Sequence, residues 1–173
     1  TWKPTSHHTV KAELAGTQAE LATSTSNDQA WIVEHQFTSE RIDTRVRVEE
    51  TESGFGLAQQ ANDDQDIRLA QAGVRYRINE TIAVTGDTSR QQVPGTGNRR
   101  DLVESRVEYQ QTDWQTFAGA RYVEDKTATG FYESRQLIAG GRRDLMDKRL
   151  TLSATGEASV DATQDNADYP KRL

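Results

Sequence analysis

Between residues 150 and 160, apolar and polar side chains alternate without interruption. The even positions read Leu150, Leu152, Ala154, Gly156, Ala158, Val160, and the odd ones Thr151, Ser153, Thr155, Glu157, Ser159. Successive side chains of an extended chain point to opposite faces, so this pattern predicts a strand with one apolar and one polar face. A typical soluble strand has about five or six residues, whereas one that crosses a bilayer needs about 9–11. The eleven positions here fit the longer class.

The stretch 102–111 repeats the arrangement, with Val103, Ser105, Val107 and Tyr109 on one side and Glu104, Arg106, Glu108 and Gln110 on the other. After Thr112 and Asp113 the chain returns through 114–124. Trp114, Thr116, Ala118, Ala120 and Tyr122 share one face there, and Gln115, Gly119 and Arg121 the other; Phe117 and Val123 break the division. The same pattern predicts strands near 9–16, 30–37, 41–49, 67–77, 81–88, 102–111, 114–124, 132–142 and 149–160. The predicted fold is all-β, an antiparallel up-and-down meander of about nine long strands forming part of a transmembrane β-barrel.

Short connections (38–40, 78–80, 112–113, 143–148) alternate with long polar ones (17–29, 50–66, 89–101, 125–131 and 161 onward). An up-and-down barrel sorts its loops this way, with tight turns on one side of the membrane and long loops on the other. The long ones, carrying Asn62, Asp63, Asp64, Pro94 and Gly95, are expected outside the cell. Trp31, Trp114, Tyr76, Tyr109, Tyr122 and Tyr132 fall mostly near predicted strand ends, where an aromatic girdle would sit.

Several runs carry a resemblance. Residues 73–86, with Gly73, Tyr76, Ile78, Asn79, Glu80, Ile82 and Gly86, look like the strand, turn and strand unit of large proteobacterial outer-membrane proteins. Similar to the same region are 54–60 (Gly54, Phe55, Gly56, Leu57), 143–152 across a short turn, and 166–172 (Asn166, Asp168, Tyr169, Pro170). The family joins extracellular repeat modules to a C-terminal barrel, and the resemblance covers roughly 40–173. It implies a Gram-negative outer-membrane location, with membrane lipid, the rest of the barrel and attached extracellular repeats as partners. It carries over no enzymatic residue. The chain is expected to be a single barrel segment over 1–173, incomplete at both ends, with its first and last strands left as open edges.

Composition narrows the function classes. Only 34% of residues are hydrophobic, the mean hydropathy is -0.85, and the net charge of -6 comes from interspersed signs with no basic tract, so nucleic acid is not an expected partner. Cysteine is absent, which removes disulfide and thiol chemistry. No apolar run reaches the length of a membrane helix, and the first residues show no signal-peptide pattern, as expected for a mature, excised or partial chain.

Candidate chemical sites are few. His7, His8 and His35 are too few and wrongly spaced for a metal site, and the acidic stretches at 63–66 and 161–168 lack the calcium-loop pattern. The carboxylate pairs Glu49 with Glu50, Glu104 with Glu108 and Glu124 with Asp125 would serve a glycosidase only on facing elements. No nucleophile elbow or phosphate loop is present, so neither catalysis nor a cofactor is expected. The barrel reading places Glu104, Arg106, Glu108, Arg121 and Glu157 on the lumen side, as paired wall charges or as the lining of a water-filled pore. Arg75 and Arg77, beside a short turn, are candidates for solvent or lipid headgroup contacts. The expected role is a non-catalytic membrane anchor or pore wall. The competing reading is a soluble β-rich surface binding module, which the low hydrophobic content favours.

Overall fold

The computed structural model describes residues 1–21, 24–53, 55, 66–146 and 149–162. Among these the chain forms ten strands and no helix: β1 (Trp2–Thr5), β2 (His8–Leu21), β3 (Ser24–Thr38), β4 (Ile42–Thr51), β5 (Ile67–Arg77), β6 (Ile82–Val93), β7 (Asn98–Gln110), β8 (Trp114–Thr127), β9 (Gly130–Leu145) and β10 (Leu150–Ala162). Each strand pairs antiparallel with its sequence neighbour in one sheet of order β1 to β10. The sheet is a pure meander whose edges, β1 and β10, do not pair with each other.

Two features differ from the sequence expectation. There are ten strands rather than about nine, the added one being the short β1. The strands also run further than hydrophobic alternation suggested, because ladder formation satisfies the backbone whatever the side chains are. The stretch 17–29 is mostly the paired ends of β2 and β3, with Thr17 opposite Asp28 and Gln18 opposite Asn27. Residues 89–101 form a hairpin that stays paired up to Val93 opposite Asn98, and β8 continues through Thr127. Of the long connections expected within 1–162, that at 50–66 lies mostly outside the described part, at residues 54 and 56–65. Most of 161–168 lies outside it too.

Local chemistry explains the tight turns. Between β5 and β6, Asn79 Oδ1 accepts hydrogen bonds from the backbone N–H groups of Thr81 (2.9 Å) and Ile82 (2.7 Å), an Asx turn that fixes the hairpin register. Ser39 does the same between β3 and β4, its Oγ accepting from Ile42 N at 3.0 Å. The opposite end of the sheet turns from β6 to β7 through Pro94 and Gly97. The latter has a φ of 71°, a conformation glycine adopts without a Cβ penalty.

Candidate functional site: two faces of opposite polarity

Residues directly opposite in a ladder share a face, so the register assigns every strand residue to one of two surfaces. One surface is polar. Glu104 faces Arg121, which faces Gln136, which faces Ser159; Glu108 faces Phe117, then Gly140, then Thr155. The other is apolar, as in the row Val84, Val107, Ala118, Ala139, Gly156.

The burial of these faces is inverted relative to a water-soluble domain. The buried residues Glu34, Glu104, Ser134 and Gln136, together with Ala83, Val123 and Ile138, all belong to the polar face; Glu104 is 7% exposed. The large hydrophobic strand residues Leu14, Val46, Val74, Val107, Leu137 and Leu152 all belong to the other face and are exposed, Leu14 at 75% and Leu152 at 55%. Soluble proteins scatter single apolar residues over their surface, but they do not dedicate a whole sheet face to them.

The apolar face is free of acids, lysine and arginine over a band that crosses neighbouring strands. It runs through alternate residues of 42–48 on β4, 70–76 on β5, 82–88 on β6, 103–109 on β7 and 114–122 on β8. Beyond it, away from the short turns, the same face becomes charged at Glu50, Arg68, Arg90, Asp101 and Glu124. Seven to nine residues at ~3.3 Å each, tilted by ~40°, span roughly 18–23 Å in depth, close to the ~25 Å apolar belt of an outer-membrane barrel.

Aromatic rings flank the band. At the short-turn end, Tyr109 and Trp114 pack with centroids 5.0 Å apart. Gln111 joins them, its Oε1 accepting from Trp114 Nε1 (2.7 Å) and its Nε2 donating to Tyr109 Oη (2.8 Å). At the far end, Tyr122 donates its hydroxyl toward Glu124 and Glu133, both at 3.2 Å. Tyr132, expected among the girdle residues, instead belongs to the polar face, opposite Asp125.

Ion pairs cover the polar face. Glu34 takes Arg45 (2.9 Å), Lys11 (3.8 Å) and the Gln36 amide (2.7 Å). Glu104 binds both Arg106 and Arg121, the latter at 2.6 Å, and Arg121 reaches on to Glu157 at 3.2 Å. Arg75 reaches over β6 to Glu108 on β7, 2.6 Å away. Ala83 of β6 stands directly opposite Glu108, and its small, buried side chain leaves that crossing open. Arg77 pairs with Asp43 and donates to the carbonyls of Ser39 and Glu40 (both 3.2 Å), tying β5 to the β3–β4 turn.

All five charged residues singled out from the sequence therefore lie on one face. Glu104, Arg106, Arg121 and Glu157 form one connected group, and Glu108 belongs to the separate pair with Arg75. Arg75 and Arg77, candidates for solvent or headgroup contacts, project to the polar face and join this lattice through Glu108 and Asp43 while staying partly exposed. Phe117, the exception in the sequence pattern, lies under the Arg106 guanidinium, 4.9 Å from its ring centroid. Val123 is buried on the same face. The pairing of Arg75 with Glu108 over Ala83 has no signal in the sequence, because it is a contact two strands away.

The carboxylate pairs do not converge. Glu49 and Glu50 point to opposite faces, as do Glu124 and Asp125, while Glu104 and Glu108 share a face but serve different arginines. His8 and His35 stack on the apolar face with Nδ1 and Nε2 3.0 Å apart, and no group of three or more potential metal ligands occurs among the described residues. No protein-family model matches the chain, and comparison with curated proteins finds no relative.

Proposed function

We propose that this sheet is a section of the wall of an outer-membrane β-barrel, acting as a membrane anchor or pore wall and not as a catalyst. The inverted polarity carries the reading: apolar side chains stand exposed on one face while charged and polar ones are buried together on the other. Lipid is the environment in which that arrangement costs nothing, since hydrocarbon accepts the apolar face and a wet interior accepts the paired charges. The open outer edges of β1 and β10 would then pair with further strands, because each unsatisfied backbone group in lipid costs several kcal/mol. The resemblance of 73–86 and 143–152 to outer-membrane barrel hairpins points the same way.

The lattice of mixed charges favours a wall held together by cross-strand ion pairs over a selective ring of one sign. The test is flotation with phosphatidylcholine vesicles together with gel migration. The wall reading expects the chain to float with the vesicles and to migrate differently with and without boiling. A compact monomer that stays soluble without detergent would favour a surface binding module instead.

A further inference from the structure

On the apolar face of β8, β9 and β10, near the short-turn end, lies an open groove of about 550 Å³. Trp114 and Thr116 form one wall, Leu152 and Ala154 the other, and Gly141 and Arg143 lie between them. Gly141 sits opposite Thr116 and Ala154 and contributes no side chain, so the groove stays open along β9. Arg143 closes the end nearest the turn, between Trp114 and Leu152.

Arg143 is the exception on this face. Among the described strand residues of β2 to β10, no other arginine, lysine or acid lies on the apolar face at the short-turn end. It also has no carboxylate partner among the described residues. Of the fifteen described arginines, twelve have a carboxylate partner, from Arg45 with Glu34 to Arg142 with Asp144. The remaining three, Arg41, Arg143 and Arg149, all lie at the short-turn end, Arg41 and Arg149 in the turns themselves. The far end of the same face pairs its charges internally, as in Arg90 with Asp101 (2.6 Å) and Arg99 with Glu124 (2.6 Å). The far rim of the band thus pairs arginines with its own acids, and the short-turn rim presents arginines with no carboxylate partner among the described residues.

We propose that this groove seats one anionic phospholipid of the leaflet on the short-turn side. The Arg143 guanidinium binds its phosphate, and an acyl chain lies along β9 over Gly141. From Arg143 to Leu137, where a large apolar side chain returns, the strand covers about 20 Å at ~3.3 Å per residue. At a tilt of ~40° that is about 15 Å in depth, most of the ~18–23 Å uncharged band, so the strand offers an acyl chain a continuous apolar bed from the rim inward. A planar guanidinium matches a phosphate through two parallel hydrogen bonds, and the Trp114 ring suits the headgroup boundary beside it.

This inference rests on the membrane reading, and its test separates the two. The full chain is placed in phosphatidylcholine vesicles containing a minor share of phosphatidylglycerol and extracted in mild detergent, and the lipids it retains are identified by native mass spectrometry. The wild-type chain should retain phosphatidylglycerol in preference to phosphatidylcholine. Arg143→Gln should lower that preference about fivefold, the worth of one basic residue at an anionic lipid surface. Ala154→Phe, which fills the groove, should abolish retention of the bound lipid with Arg143 intact. Excess inorganic phosphate should leave retention unchanged; displacement of the lipid by it would mark a bare anion site and overturn the proposal. Equal retention of both lipids by a chain that floats with vesicles would overturn it too, leaving the wall reading standing. Failure to float would overturn the wall reading itself.

Discussion

Replacing Val107 by Arg is expected to lower folding stability in lipid by about 2–4 kcal/mol, the cost of a cation near the middle of a barrel's outer face. Val107 lies within the uncharged band of β7, opposite Val84 on one side and Ala118 on the other, and is 53% exposed. That exposure makes the substitution discriminating. In a water-soluble sheet an arginine at a half-exposed position reaches solvent and changes stability by no more than about 0.5 kcal/mol. Thr155→Arg supplies the contrast, because Thr155 projects from the polar face of β10 and should tolerate the charge within about 0.5 kcal/mol. Denaturant midpoints of the two variants in the same lipid give the comparison, and similar losses for both would count against a lipid-facing band.

A comparable loss, expected at Gly119, comes from packing rather than from charge. A Cβ built there falls on the Ser105 carbonyl oxygen, 2.9 Å from Arg106 Cγ and 3.0 Å from Arg106 Cα. Most of these neighbours are backbone of β7, so relief requires moving one strand away from the other. Gly119→Ala should therefore cost roughly 2–4 kcal/mol, adding loosened ladder bonds to ordinary overpacking. It should also displace Arg106 from Phe117, since Arg106 stands directly opposite Gly119. At Gly86 the added methyl would meet only Val74 Cγ1, at 3.5 Å, an ordinary van der Waals contact. Gly86→Ala should shift the unfolding midpoint little, and parity between the two variants would mean that β7 and β8 are not paired in this register.

The strands carrying clean alternation are legible in the sequence alone. The split of even and odd residues over 150–159 is the split between the two faces of β10, up to a bulge at Val160, and the hairpin 102–124 has its expected turn. Alternation in hydrophobicity reports only where the two faces differ. It fades where both are polar, which is why the outer reaches of β2, β3, β6 and β7 read as loops. Phe117 and Val123 look like errors of pattern because the polar face holds apolar fillers wherever a glycine or an arginine stem leaves room, as Gly140 does under the Phe117 ring. Parity alone put Glu104, Arg106, Glu108, Arg121 and Glu157 on one face. Which acid meets which base depends on register between strands, and the reach of Arg75 over Ala83 to Glu108 depends on two registers at once.

The groove at Gly141 has the same character. Trp114, Gly141, Arg143 and Ala154 come from three strands, and nothing in their spacing along the chain announces a shared surface. What marks Arg143 is that it has no carboxylate partner among the described residues, in a sheet where most arginines have one.

The absence of native cysteine makes the polarity of the two faces directly measurable. Single cysteines placed at each position of 102–109 on β7 can carry a nitroxide label, and collision with oxygen, which partitions into lipid, can be compared with collision with a water-soluble nickel complex. A wall segment gives a two-residue period across the strand. Labels at positions 103, 105, 107 and 109 should collide with oxygen, and those at 102, 104, 106 and 108 with the nickel complex. Water-accessible labels at Val103, Ser105 and Val107 in the lipid-bound chain would contradict a lipid-facing apolar surface.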